Sequence, residues 1–259
     1  MLNIDNYAYT SKLKHREPME KLFFALLTLG VCLWADWAVV SITVLFIMGW
    51  VSVRKGGTPL PLFMRMMLVP FAFLILSVLT IAFSISANSR EFIFAVPMFQ
   101  TFLGVSKISL ITAGSLFCKA LGGVSCLYYL SFSTPMIDLL AGLRRLKLPV
   151  LLVELMGLVY RFIFILLETA DKMVTAQNSR LGYANLSSGY RSLSALASNL
   201  FIRAFKRSDQ IYFALESRGY EGELNVLTET YQVRWQGYLT TLVINILLVV
   251  ATLFFRNQA

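Results

Sequence analysis

The run Val150-Leu-Leu-Val-Glu154-Leu-Met-Gly-Leu-Val-Tyr-Arg161-Phe-Ile-Phe-Ile-Leu-Leu-Glu168-Thr169 decides how this chain is laid out. It is greasy enough to cross a bilayer. Its three charges recur every seven residues and so align on one helical stripe, while Leu151, Leu155, Leu158, Phe162 and Leu166 form another. Three ionisable groups inside a span are costly. Crossing would also put outside either Arg144, Arg145 and Lys147 or the set Lys172, Arg180, Arg203, Lys206 and Arg207, against the Lys/Arg bias of inner loops. The expected arrangement is an amphipathic helix along or under the inner face.

Outward from that run, uncharged stretches set the spans. Leu22–Ala35 and Trp37–Val53 read as a tight helical hairpin with Asp36 at its turn. Met66–Ser89, Ile108–Phe132 (with Lys119 near its middle) and Trp235–Phe255 follow, each long enough to span. Phe92–Ser106, interrupted by Pro97 and Gly104, is too short, and as a span it would invert everything after it. The 259 residues are 57% apolar and 14% charged, with mean hydropathy +0.68. Soluble domains carry about 25% charged residues, so a soluble enzyme, a disordered regulator and a secreted disulfide scaffold are excluded. The net charge of +9 fits inner-loop cations, and no nucleic-acid partner is expected. The first 21 residues carry seven charges and no apolar core, so no signal peptide is expected. Cys118 and Cys126 would sit about 12 Å apart on one helix, too far to bridge.

The expected fold is therefore an all-α integral membrane protein with about five transmembrane helices and three cytoplasmic helices. Residues 1–132 carry four spans, 133–234 the cytoplasmic helical region, and 235–259 the last span. The N-terminus lies inside, with Lys12, Lys14, Arg16 and Lys21 ahead of the first span. The region from Ser133 to Arg234 holds twelve Lys/Arg and nine Asp/Glu, more than half of the chain's charge. Its first helix opens at Thr134-Pro135, a capping hydroxyl with proline at the first helical position, places Asp138 near the positive dipole end, carries Arg144 and Arg145, and stops at Pro149. A second helix is expected from about Val150 to Arg180. A third is expected from about Tyr190 to Arg218, with Ser208-Asp209 a candidate break.

Both long helices end alike, in Asn178-Ser179-Arg180-Leu181-Gly182-Tyr183 and in Glu216-Ser217-Arg218-Gly219-Tyr220. One reading is purely local: glycine supplies a left-handed cap and arginine complements the negative helix end. The other is functional: a guanidinium projecting from a helix end beside a permissive glycine suits insertion into an acidic groove on a partner. The repetition brings the two readings level.

These paired signatures resemble the two Ala-Arg-Gly coupling motifs of the transmembrane T-component of energy-coupling-factor transporters. The stretch Ile4-Asp5-Asn6-Tyr7-Ala8, with Ser11, Leu13, Pro18 and Glu20-Lys21-Leu22, is similar to the cobalt/nickel branch, the CbiQ type. The segment Ser133-Thr134-Pro135, Asp138-Leu-Leu, Gly142-Leu-Arg-Arg-Leu and Leu148-Pro149 resembles the family's first coupling helix. Departures are serine for alanine at Ser179 and Ser217, and Leu181 inserted between Arg180 and Gly182. The resemblance implies a non-catalytic scaffold in a bacterial or archaeal cytoplasmic membrane. It would join a substrate-binding S-component (CbiM-like) to two cytoplasmic ABC-type ATPases (CbiO-like), with a small accessory membrane subunit as a further candidate partner. Ser179, Arg180 and Gly182, and Ser217, Arg218 and Gly219, would dock the ATPases, supported by Asp138, Arg144 and Arg145. ATP and Mg would be held in those partner subunits, and cobalt or nickel would be the cargo.

The residues agree with such a division of labour. Neither Lys55-Gly56-Gly57 nor Gly122-Gly123 completes a phosphate-cradling loop. His15, the single histidine, sits in a basic segment, and Met64, Met66 and Met67 read as packing, so no metal site is expected in this chain. Lys119 is an intramembrane candidate, on a segment whose Gly114, Ser115, Gly122, Gly123 and Ser125 fit either a subunit interface or internal packing. The rivals are a vitamin-branch T-component, a solitary secondary transporter, for which no internal symmetry is seen, and an intramembrane enzyme, for which no catalytic constellation assembles.

Overall fold

In the computed structural model, residues 3–35, 37–86, 92–98, 101–220, 231 and 235–256 are described. Asp36, the expected hairpin turn, lies outside them, as do residues 87–89 at the end of one expected span. The helices are α1 (Asn3–Thr10), α2 (Pro18–Trp34), α3 (Ala38–Trp50), α4 (Leu60–Ala82), α5 (Lys107–Ser133), α6 (Met136–Arg145), α7 (Val150–Ser179), α8 (Leu186–Glu216) and α9 (Trp235–Arg256). The helical membrane architecture holds. An added feature is a three-stranded antiparallel sheet of β1 (Phe83–Ser86), β2 (Phe92–Met98) and β3 (Thr101–Ser106), in the order β1-β3-β2. The stretch rejected as a span is thus two strands of this sheet. Pro97 falls in β2, an edge strand, where a missing ladder donor is tolerated.

The chain forms two compact units. One comprises residues 2–135 and 230–259, and so holds α1–α5, the sheet and α9; the other holds α6–α8 within 136–229. Among the described residues, five stretches are long and apolar enough to cross a membrane: Ala38–Lys55, Leu60–Ile81, Ser109–Ser133, Val150–Ser179 and Trp235–Phe254. Four overlap expected spans, and the Met66–Ser89 span is shifted to begin at Leu60 and leave the helix at Ala82. The expected first span differs. α2 starts at Pro18, so its 17 residues include Glu20 and Lys21 inside its first turn, and both side chains are buried. The fifth qualifying stretch is α7, which belongs to the unit of α6 and α8 and not to the unit that holds the other four.

The core of the larger unit explains the small residues of α5. A Cβ at Gly122 would lie 2.8 Å from Cys32 Sγ and 2.9 Å from the Ser41 carbonyl, and one at Gly123 would lie 3.3 Å from Leu29. These glycines let α5 approach α2 and α3 closely, so Gly122 and Gly123 serve internal packing, whereas a Cβ at Gly114 would meet nothing within 4 Å. Val40, Val44, Met48, Cys126 and Leu248 fill the same cluster. α3 runs directly into a π-helical turn, Val51–Lys55, closed by a bond from the Gly56 amide to the Val51 carbonyl at 2.9 Å. The Gly56 carbonyl in turn receives the Ser11 hydroxyl at 2.9 Å and the Lys12 amide at 3.2 Å, fastening the α1–α2 link across this turn.

Candidate functional site

α7 and α8 have 30 and 31 residues, about 45 and 46 Å of helix. Each ends in the same hydrogen-bond pattern. After α7 the Gly182 amide reaches back to the Gln177 carbonyl at 2.8 Å and the Leu181 amide to Asn178 at 3.0 Å. After α8 the Tyr220 amide reaches Leu215 at 3.1 Å and the Gly219 amide reaches Glu216 at 3.0 Å. Both are Schellman closures, which satisfy orphan carbonyls and require a left-handed residue one position after the cap. At the second end that residue is Gly219, with φ 75°. At the first it is Leu181, with φ 58°, and not Gly182.

The geometry therefore aligns Ser179-Arg180-Leu181 with Ser217-Arg218-Gly219, and the extra leucine is no insertion: it holds the left-handed position that Gly219 holds at the other end. Lys147, just after α6, has φ 59°, so the two non-glycine residues of left-handed φ among the described residues both terminate helices of this unit. Such conformations cost a side-chain-bearing residue roughly 1–2 kcal/mol and gather at functional positions.

Gly182 has a different task. Its carbonyl accepts the hydroxyls of Ser188 at 3.0 Å and Ser192 at 2.8 Å. Gln177 joins the same corner, donating to the Ser192 carbonyl at 3.0 Å and accepting from the Tyr183 hydroxyl at 2.7 Å. A Cβ on Gly182 would lie 2.7 Å from Ser192 Oγ and 2.9 Å from the Gln177 carbonyl, so close approach, not backbone freedom, demands glycine there. The two serines of the motifs behave identically: Ser179 Oγ donates to the Thr175 carbonyl at 3.0 Å and Ser217 Oγ to the Phe213 carbonyl at 2.7 Å.

Arg180 and Arg218 are both exposed. Neither side chain has a hydrogen-bond or ion-pair partner among the described residues, and the whole of α8 lies between them. The Tyr220 hydroxyl donates to Glu154 Oε2 at 3.3 Å, tying the end of α8 to the beginning of α7. One charge of the greasy stripe is thereby accounted for. Another, Glu168, pairs with Lys172 at 2.7 Å. Tyr220→Phe is expected to cost about 1 kcal/mol locally, seen as faster amide hydrogen exchange over residues 213–219 with the rest of α8 unchanged.

The remaining expected site residues are placed as follows. Asp138 is buried in the first turn of α6, Arg144 is half-buried and Arg145 exposed at its end. α8 begins at Leu186 and runs unbroken through Ser208-Asp209. Lys119 is half-buried on α5, and its backbone carbonyl accepts the Cys32 thiol at 3.8 Å. Among the described residues no group of three His, Cys, Asp or Glu side chains converges to hold a metal. Sequence reasoning missed Gln177, Ser188, Ser192 and the Tyr220–Glu154 bond; such polar ties carry no periodic signal.

Comparison with known proteins adds a family. The profile of the CbiQ family, described as cobalt transport protein, matches residues 10–230. An uncharacterised protein of Methanocaldococcus jannaschii is 35% identical over 228 residues, 86% of this chain and 82% of that protein. The cobalt transport protein CbiQ of Salmonella typhimurium is 31% identical over 226 residues, 87% of this chain and 100% of its own length. The energy-coupling factor transporter transmembrane protein EcfT of Bacillus subtilis is 35% identical over 124 residues, 46% of each chain.

Proposed function

This chain belongs to the CbiQ family of cobalt transport proteins, and on that premise we propose that it is the transmembrane coupling subunit of an ATP-driven importer for cobalt or nickel ions. It performs no hydrolysis itself. Two partner ABC-type ATPases bind and hydrolyse ATP with Mg, and a CbiM-like membrane subunit binds the cargo. In this reading the unit of α6–α8 is cytoplasmic, and so is the N-terminus. α7 lies there and does not cross, because its three charges and the basic residues on either side of it disfavour a span.

The observation that carries this reading is the pair of exposed arginines, their side chains without a partner among the described residues, on matching helix closures separated by about 46 Å of α8. A buried anchor on a partner surface needs such a group: a planar fork of donors, held at a rigid terminus, free to pair with carboxylates. Two ends so far apart suit two receptors better than one. In this scheme ATPase closure moves both ends, and α6–α8 pass that movement to the membrane unit.

The test is purification of the tagged chain from its own membranes in mild detergent, with mass-spectrometric identification of what accompanies it. ABC-type ATPase subunits and a second membrane subunit are expected in the eluate. A chain that arrives alone overturns the coupling role and returns the solitary-transporter reading.

A further inference from the structure

The chain passes between its two units twice, after Pro135 and before Thr230. The end of α5 and the start of α9, the described helix ends nearest these passages, both meet the N-terminal end of one helix, α2. At the first, α5 ends at Ser133, and its carbonyl, one of the orphan acceptors of that terminus, receives the Lys21 ammonium at 2.9 Å. The same ammonium donates to the Leu13 carbonyl at 3.2 Å, and Lys21 is only 1% exposed. At the second, α9 begins at Trp235, and the Tyr238 hydroxyl donates to Glu17 Oε2 at 3.1 Å. One residue earlier, a Cβ on Gly237 would fall onto the Glu20 carboxylate, so only glycine lets that carboxylate sit against α9. Glu20 is held in turn by Arg16 at 3.1 Å. Glu17, Glu20 and Lys21 are all buried.

Burying a lysine and two glutamates is expensive unless hydrogen bonds and ion pairs offset the lost hydration, as they do here. What they fix is two helix ends: Lys21 pins the end of α5, while Glu17 and Glu20 pin the start of α9. We propose that Lys21, with Glu17, is a positioning group for energy coupling, clamping the end of α5 and the start of α9 to α2 so that movement of α6–α8 is delivered to both helices together. This inference rests on the coupling role proposed above. Without the clamp, α5 and α9 yield separately at their ends and the work of ATP hydrolysis is dissipated there.

The measurement is radioactive cobalt(II) taken up per ATP hydrolysed, in proteoliposomes holding the whole transporter with its ATPases. Lys21→Met keeps the side-chain volume and loses the ammonium. It is expected to co-purify with the ATPases and hydrolyse ATP, yet carry fewer ions per ATP by a factor within the about 5- to 150-fold range of ordinary site-to-site coupling. Tyr238→Phe removes one hydroxyl from a half-buried ring and is expected to lower the same ratio by about twofold to tenfold. A purely structural role lowers the yield of assembled complex and leaves the ratio alone. An unchanged ratio in assembled Lys21→Met overturns the proposal. If that variant does not assemble, an unchanged ratio in Tyr238→Phe overturns it. Failure of the wild-type chain to bind ATPases would instead overturn the coupling role itself.

Discussion

Alanine at both Arg180 and Arg218 is expected to abolish ATP-dependent uptake while leaving the chain folded in its membrane. Folding is spared because both side chains are exposed and have no partner among the described residues; truncation at such positions stays within about 0.5 kcal/mol. Association is not spared. An arginine anchor seated in a partner groove contributes roughly 2–4 kcal/mol, so each single change should weaken ATPase binding about 30- to 1000-fold. With about 46 Å of α8 between the anchors, the two losses act on separate contacts and should add. Lysine in place of either arginine keeps the charge but not the bidentate fork, and should fall between wild type and alanine. Co-purification of ATPase with the double alanine variant at the wild-type ratio would falsify the docking role.

The second large effect is expected at the α7–α8 corner. Gly182→Ala drives a methyl against the Gln177 carbonyl, the acceptor of Gly182's own amide, and against Ser192 Oγ. The Schellman closure and the two serine bonds to the Gly182 carbonyl cannot all survive, and overpacking of this kind costs about 1–3 kcal/mol. Gly219→Ala meets nothing within 4 Å and carries only left-handed strain, roughly 1–2 kcal/mol. Leu181→Gly has the opposite sign: it relieves strain of that size, less the roughly 0.5–1 kcal/mol that glycine's added freedom costs. Limited proteolysis at 180–186 reads all three. Cleavage should rise most in Gly182→Ala, rise little in Gly219→Ala, which is remote from the corner, and fall or stay level in Leu181→Gly. A Gly182→Ala chain as resistant as wild type would remove the close-approach argument.

What the sequence disclosed, and what it withheld, follows from the range of each interaction. α3, α5 and α9 were legible because a long uncharged run has one stable solution in a bilayer. The ends of α6, α7 and α8 were legible from proline, arginine and glycine. The identity of the left-handed residue was not. Glycine was expected to take it at both ends, but the last hydrogen bond of α7 fixes the position and Leu181 stands there. The residues of β2 and β3 are too short a run to span, yet short apolar runs do not announce strands by periodicity alone. In the sequence Lys21 reads as one more cation ahead of the first span. Its burial depends on Leu13 and on Ser133, 112 residues away, and no local pattern records such a partner.

The π-helical turn at Val51–Lys55 has a consequence for how this chain tolerates changes in length. A π turn closes its ring with one residue more than an α turn. One extra residue in an ordinary helix swings every later side chain by about 100°, which in α9 would turn Asn245 and Thr252, both buried, toward lipid. At 51–55 the surplus residue is absorbed before Gly56, whose carbonyl is anchored independently by Ser11 and Lys12. Loss of one residue there tightens the turn to an ordinary α-helix and leaves the buried face of α3 where it is. Insertions and deletions among related chains should therefore gather at this turn and be absent from α9.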